Sequence, residues 1–283
     1  MNLALSDVIH DPVESIVYTE IGVEEGTVRD PTVPTLQRVL ESGVLKVGYN
    51  TLDIPFSFRN KESALVGFDI ASAYQLARDL DCKLEFIRCD FGSLPQELKA
   101  GLYDIAMSAV LMTEERLLAL NFTHPYLEDD VVLVVPTAHK KFYLNYPDIE
   151  SRELKIGAVG EYKQFLRRHF PDATLVPIES LDILAGNWDI DAWMTAKNTG
   201  FIWCLSNPNF VTIDYEGLIG KAYFSYPVQD DNYKFISFLN NWLILKNLTG
   251  FHKEMYNYWF EGQSPKKQAP RWSILRDVLH VGD

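Results

Sequence analysis

Few of the reactive side chains in this sequence are spaced for catalysis. Its six histidines, His10, His124, His139, His169, His252 and His280, form no HExxH and no pair four residues apart, so a metal site would have to be gathered from distant parts of the fold. Cys82, Cys89 and Cys204 lack CxxC spacing and cannot all pair within one chain; they read as buried or half-buried thiols. GxSxG, GxGxxG and GxxxxGK[ST] are absent, which removes the sequence support for a nucleophile elbow, a dinucleotide site or a P-loop. The acidic groups Glu128-Asp129-Asp130, Glu161 and Asp230-Asp231 read as solvated surface in so acidic a chain. What the spacing does support is anion binding. In Tyr103–Tyr126, YDIAMSAVLMTEERLLALNFTHPY, residues 105–109 read as a short buried strand, Thr113 as a helix N-cap, and Arg116 as a guanidinium in the first turn. A helix start offers unpaired N–H groups, and an arginine there, set against the helix dipole, offers a planar fork for a carboxylate, whether of a ligand or of the protein itself.

The elements that would position this stretch alternate strand and helix. A helix at TLQRVLESG places Leu36, Val39 and Leu40 on one side and stops at Gly43, and strand VLKVGYN follows. The loop from Asn50 to Pro55 lies at that strand's carboxyl end, where open α/β sheets place ligands. Phe56 and Phe58 alternate, and at least one belongs to the core. Asp69 is placed to cap a helix with Ile70, Ala73, Ala77 and Leu80 inward; a strand at 83–87 and a short helix from Ser93 follow. A second set begins after strand 131–136: strands at 155–159, 174–178 and 191–195, helices at 161–169, after Ser180 and through Trp203, a return strand at 219–228, and helices at 230–248 and 250–260. Such alternation predicts mainly parallel sheets covered by helices.

At 283 residues the chain suffices for two domains, and with 47% hydrophobic and 23% charged residues it is globular. The net charge of −13 argues against nucleic acid or an anionic membrane surface as partner. No apolar run is long enough to cross a bilayer, and the first twenty residues lack the pattern of a secretory signal; the expectation is that a signal or membrane portion is absent from this chain.

Five stretches in order, VLKVGYN at 44–50, PFSF at 55–58, LVGFDIASAYQLARDL at 65–80, YDIAMSAVLMTEER at 103–116 and FTHPYLEDDVVLVV at 122–135, carry a resemblance to the bacterial solute-binding proteins of the polar amino-acid type, family 3. The resemblance implies an α/β, two-lobed type II periplasmic-binding-protein fold, each lobe a sheet flanked by helices, with two hinge linkers at about 136–140 and 222–227. The expected division is an arm at 1–31 that either adds a strand or stays partly ordered, lobe 1 from 32–137 plus 226–262, lobe 2 from 138–225, and a linker with a short helix at 263–283. That ending is similar to those of binding domains fused to sodium:dicarboxylate-type symporters. The implied function is an extracytoplasmic, periplasmic binding domain without cofactor or metal, which closes on a small polar or anionic ligand for a membrane transporter or receptor and does not itself insert in the membrane. Dehydratases of the cyclohexadienyl or arogenate type share the fold and supply the enzymatic alternative.

Carried over by that resemblance, the ligand-binding set is Asn50, Asp53, Phe68, Ser108, Ala109 and Arg116 in lobe 1, with Gly160, Glu161, Thr195, Lys197 and Asn198 in lobe 2. Arg116 matches the arginine that clamps the ligand carboxylate, and Phe68 an apolar wall. Three positions depart from the pattern. Leu111 replaces a hydroxyl that helps hold the carboxylate, Asp53 stands near the place of a stacking aromatic, and Ala196 replaces the acid that pairs with an α-ammonium. A buried ammonium without an anion is costly, so the expected ligands carry a carboxylate with hydroxyl or carbonyl groups in preference to a free amine. Arg116, read as a partly exposed cleft residue, is expected to serve the ligand more than the fold.

Overall fold

The computed structural model of the protein describes residues 13–21, 33–51, 54–178, 188–229 and 233–263. Along the chain these form β1 (Ser15–Ile21), α1 (Thr35–Ser42), β2 (Val44–Tyr49), β3 (Phe58–Arg59), β4 (Leu65–Val66), α2 (Phe68–Asp79), β5 (Lys83–Arg88), α3 (Leu94–Lys99), β6 (Ile105–Ala106), α4 (Glu114–Leu117), β7 (Leu120–Phe122) and β8 (Leu127–Pro136). There follow β9 (Lys155–Ala158), α5 (Lys163–His169), β10 (Thr174–Pro177), β11 (Ala192–Ala196), α6 (Lys197–Ser206), β12 (Phe210–Ile213), β13 (Lys221–Phe224), β14 (Pro227–Gln229), α7 (Tyr233–Leu248) and α8 (Phe251–Trp259). Two compact units result, one running up to Tyr126 and resuming at Phe224, the other from Leu127 to Tyr223.

The first unit is built on a sheet in the order β1-β5-β2-β6, with parallel pairing throughout. From Leu45 to Tyr49, β2 is buried, as a central parallel strand covered on both faces must be. The N-terminal segment adds β1 to this sheet, and the Tyr49 hydroxyl donates to the Tyr18 carbonyl at 2.9 Å. Two acids, the buried Asp104 and the exposed Asp79, fasten the covering helices. Asp104 accepts both Arg38 Nη atoms, at 2.8 and 3.1 Å, and the Lys46 N–H, which fixes α1 to the sheet. Asp79 accepts from Trp242 Nε1 at 2.7 Å and pairs with Lys246 at 2.5 Å, which fixes α7 to α2. Phe56 and Phe58 are both buried, whereas Leu40 faces out of the stripe assigned to it.

Gly67 turns the chain into α2 at φ +141°, and an added Cβ would lie 2.1 Å from the Phe56 carbonyl oxygen. Only glycine fits there. The N–H groups of Phe68 and Asp69 donate to the carbonyls of Pro55 and Phe56, at 2.9 Å each. Gly67, not Asp69, is therefore the cap, and Asp69 lies inside the first turn.

The second unit centres on β8, in a sheet ordered β10-β9-β11-β8-β12 with β13 also on β8. β8 is antiparallel to β11, with Val131 opposite Ala196, and to β12, with Val135 opposite Val211. Gly200 lets α6 press on β8, since a Cβ there would lie 2.9 Å from Val134. Trp188, Trp193, Trp203 and Phe210 complete this core.

Three readings need correction. The first crossing between units falls at Tyr126–Leu127, about ten residues before the linker expected at 136–140, because Leu127–Pro136 is one strand paired with β11 and β12 of the second unit. The segment at 219–228 is two strands, β13 and β14, and β14 pairs with β7 in the first unit. Strand β12 has no counterpart in the sequence reading. The expected helices after Ser180 and near 271–280 lie outside the described residues, as does most of the arm at 1–31.

Candidate functional site

The carboxyl ends of parallel strands β2 and β6 bring Asn50, Ser108 and Ala109 together in the first unit. The Ser108 hydroxyl accepts the Asn50 N–H at 3.0 Å and donates to the Asn50 carbonyl at 3.1 Å, locking the two strand ends in register. Ala109 is held at φ +49°, an unfavoured conformation for a residue with a Cβ. Its N–H donates to Asp69 Oδ2 at 2.6 Å. Asp69, fully buried, also accepts the hydroxyls of Tyr126 and Tyr226, each at 2.8 Å. Burial pushes its carboxyl up to about 7, against the opposing pull of the hydrogen bonds from Ala109, Tyr226 and Tyr126. One acid thus joins the start of α2, the loop carrying Ser108, and the segments at both unit crossings. The sequence reading misses this role.

Thr113 does cap α4, accepting the Arg116 N–H at 3.2 Å. Yet α4 is a single turn of four residues, too short to offer the macrodipole of a full helix. Thr113→Ala is expected to cost about 1 kcal/mol, read as a lowered urea midpoint. Arg116 is a buried residue: Nη1 donates to the Leu111 carbonyl at 3.0 Å, Nη2 to the Phe91 carbonyl at 3.2 Å, and Cζ lies 5.8 Å from the Phe91 ring centroid. The guanidinium joins two loops at the carboxyl edge of the sheet, so it serves the fold directly, contrary to the partly exposed residue inferred from sequence.

Phe68 also departs from its expected role. At 1% exposure it stacks on Tyr126 and meets Phe56 and Phe260 edge-on, so it is core of the first unit and not an open wall. The backward turn at Gly67 drives its ring inward. Asp53 lies outside the described residues.

In the second unit, β9 and β11 run parallel, so the residues after them emerge at one sheet edge. Gly160 and Glu161 lie in a 3-10 turn ahead of α5. Thr195 is buried in β11, and Ala196 precedes α6 without a side-chain cap. Lys197 Nζ pairs with Asp214 at 2.6 Å and approaches Asp130 to 3.9 Å; its ammonium pKa is raised, chiefly by the hydrogen bond to Asp214. The Asn198 N–H donates to Asp129 Oδ2 at 2.8 Å, while Asp129 Oδ1 accepts the Asp130 N–H at 3.0 Å. Burial raises the Asp129 carboxyl to about 6. The sequence reading places this acid in the surface run 128–130, although it shares the inward phase of Val131, Leu133 and Val135 along β8, which is the available signal.

Residues 45–262 match the family model of bacterial extracellular solute-binding proteins, family 3. The cyclohexadienyl dehydratase of Pseudomonas aeruginosa is 25% identical over 235 residues, covering 81% of this chain and 87% of that protein. The ABC transporter arginine-binding protein 1 of Escherichia coli is 25% identical over 213 residues, 73% of this chain and 86% of that protein. Among solved structures, an L-arginine-bound amino acid ABC transporter substrate-binding protein from Streptococcus pneumoniae aligns with a TM-score of 0.72 at 19% identity, over 81% of this chain and 100% of that one. That likeness establishes the fold, the type II periplasmic-binding-protein fold. With the family model spanning residues 45–262, most of its length, the chain belongs to the bacterial extracellular solute-binding proteins, family 3.

Proposed function

We propose that the protein is a periplasmic or otherwise extracytoplasmic binding protein for a small carboxylate-bearing ligand, amino-acid-like or an organic acid, which it delivers to a membrane transporter or receptor component. The observation that carries this reading is Arg116, a cation held in place by the carbonyls of Leu111 and Phe91 at the sheet edge where Asn50 and Ser108 meet. Asn50, Ser108, Ala109 and Arg116 are its ligand-binding residues in the first unit; Gly160, Glu161, Thr195, Lys197 and Asn198 are those in the second. No helix among the described residues is long and apolar enough to cross a membrane.

A second reading, a carbon-oxygen lyase of the cyclohexadienyl dehydratase type, is favoured by the Pseudomonas aeruginosa relative, which aligns over 87% of its length. Two experiments separate the readings. In a thermal-shift screen of amino acids and organic acids, carboxylate ligands should raise the melting temperature with the logarithm of concentration. Incubation with prephenate or arogenate should release no aromatic product, and appearance of one would transfer the protein to the lyases. A complete absence of shifts across the screen would remove the binding reading.

A further inference from the structure

The chain's charge is unevenly spread. Residues 137–169 hold seven Lys and Arg against four Asp and Glu, within a chain of net charge −13. One of the seven, Lys155, pairs with Asp189 at 3.6 Å. The other six, Lys140, Lys141, Arg152, Lys163, Arg167 and Arg168, are exposed, and no carboxylate among the described residues pairs with any of them. Exposed lysines elsewhere do find an acid: Lys83 pairs with Glu14, Lys197 with Asp214 and Lys221 with Glu128, each at 2.6 Å.

The fold of the second unit sets these cations beside two outward apolar side chains. Tyr143 anchors the 3-10 turn Thr137–Tyr143: it is buried, its hydroxyl donates to the Asp191 carbonyl at 3.1 Å, and its carbonyl accepts the Tyr215 hydroxyl at 2.6 Å. Its neighbours Phe142 and Leu144 are thereby turned outward, 44% and 59% exposed. The Arg152 guanidinium lies over the Phe142 ring, with Cζ 4.2 Å from the centroid. Tyr146 carries the surface on to α5, donating to the His169 carbonyl at 3.0 Å and meeting Phe170 edge-on, and α5 presents Lys163, Arg167 and Arg168 to solvent.

We infer that this surface docks the protein on a layer of anionic lipid headgroups. A guanidinium stacked on a ring keeps its planar edge free for phosphate oxygens, and lysines reach headgroups with their stems along apolar surface. Phe142 and Leu144 supply the apolar side chains that enter the interface between headgroups. An acidic protein segment would answer the charge but not these two side chains, which need either a shaped pocket in a partner or a bilayer that takes them without one. The net charge of −13, which taken alone argues against such a surface, is a sum over the whole chain. Screening at physiological salt limits the reach of a charge to about 8 Å, so the sign of the contacting face decides. The assignment does not depend on the ligand reading above.

The test is co-sedimentation of the whole chain with vesicles of phosphatidylcholine alone and of equal parts phosphatidylcholine and phosphatidylglycerol. The wild type should favour the anionic vesicles by roughly tenfold or more in about 50 mM salt and lose most of that preference by about 500 mM. Lys140→Gln with Lys141→Gln should cut binding to anionic vesicles by about tenfold or more, and Phe142→Ser by about fivefold. Lys99→Gln with Lys253→Gln, exposed cations of the first unit, should change it less than about twofold. All five substituted side chains are exposed, so the variants should keep the wild-type melting temperature. Equal binding of the wild type to both vesicles, or equal losses in the two lysine pairs, would overturn the assignment. Binding to poly-glutamate with none to vesicles would overturn it in favour of an acidic protein partner.

Discussion

Asp69→Ala is expected to cost about 3–5 kcal/mol, a large fraction of the roughly 5–15 kcal/mol that typically separates a folded domain from its unfolded chain. The substitution leaves the Ala109 N–H and the hydroxyls of Tyr126 and Tyr226 without their shared buried acceptor, and each such group costs about 1–3 kcal/mol. It also releases Ala109 from φ +49°. Urea unfolding supplies the measurement, and a loss below about 1 kcal/mol would mean that the three donors find other partners. Asp69→Asn is milder and tests the charge separately. Because burial raises the folded carboxyl from 3.8 to about 7, folding favours its protonated form. Its contribution is therefore complete below about pH 4 and is lost as the pH rises through about 7. The stability of the wild type relative to Asp69→Asn should fall between pH 5 and pH 7.5, by at most about 1.4 kcal/mol per unit. Other carboxylates titrate in both proteins and cancel in the difference, so a flat difference would refute the shift.

Arg116→Ala should show two losses where the sequence reading expects one. The guanidinium bridges the carbonyls of Leu111 and Phe91, and hydrogen bonds from a charged donor contribute about 1.5–3 kcal/mol each. A stability loss of about 3 kcal/mol is therefore expected in urea, together with undetectable ligand binding by calorimetry. Arg116→Lys separates the two, because an ammonium keeps the charge without the planar fork. It should recover part of the stability and still bind more weakly by about tenfold or more. Wild-type affinity in a folded Arg116→Ala protein would remove Arg116 from the site.

Local signals in the sequence are readable; partners distant along the chain are not. Thr113 can be named as a cap because its acceptor role requires only the next three residues. The strands 44–49 and 83–88 announce themselves by apolar runs closed with turns, and the sheet follows from their alternation with helices. Arg116 stands out in the sequence, but its carbonyl partner at Phe91 lies 25 residues back, so its structural duty is invisible there. Asp69 reads as a cap from its position before an amphipathic run, whereas its actual partners are 40, 57 and 157 residues away. The same limit explains Asp129, whose partner Asn198 lies 69 residues on. The first unit crossing is misplaced from sequence because a strand that changes unit carries no compositional mark at the point of change.

Strand β1 bears on how such proteins are divided. The family model matches from residue 45, yet Ser15–Tyr18 and Ile21 run in register with the residues 84–88 of β5. An uncovered flank of β5 would offer a row of main-chain donors and acceptors, a template on which a strand of another molecule can add. Here the chain occupies that place with its own N-terminal segment, further tied by Ser15 to Tyr74 at 2.8 Å. The boundary of the family match and the boundary of the folded sheet are thus different lines: a strand that precedes the matched residues is a member of the first unit's sheet.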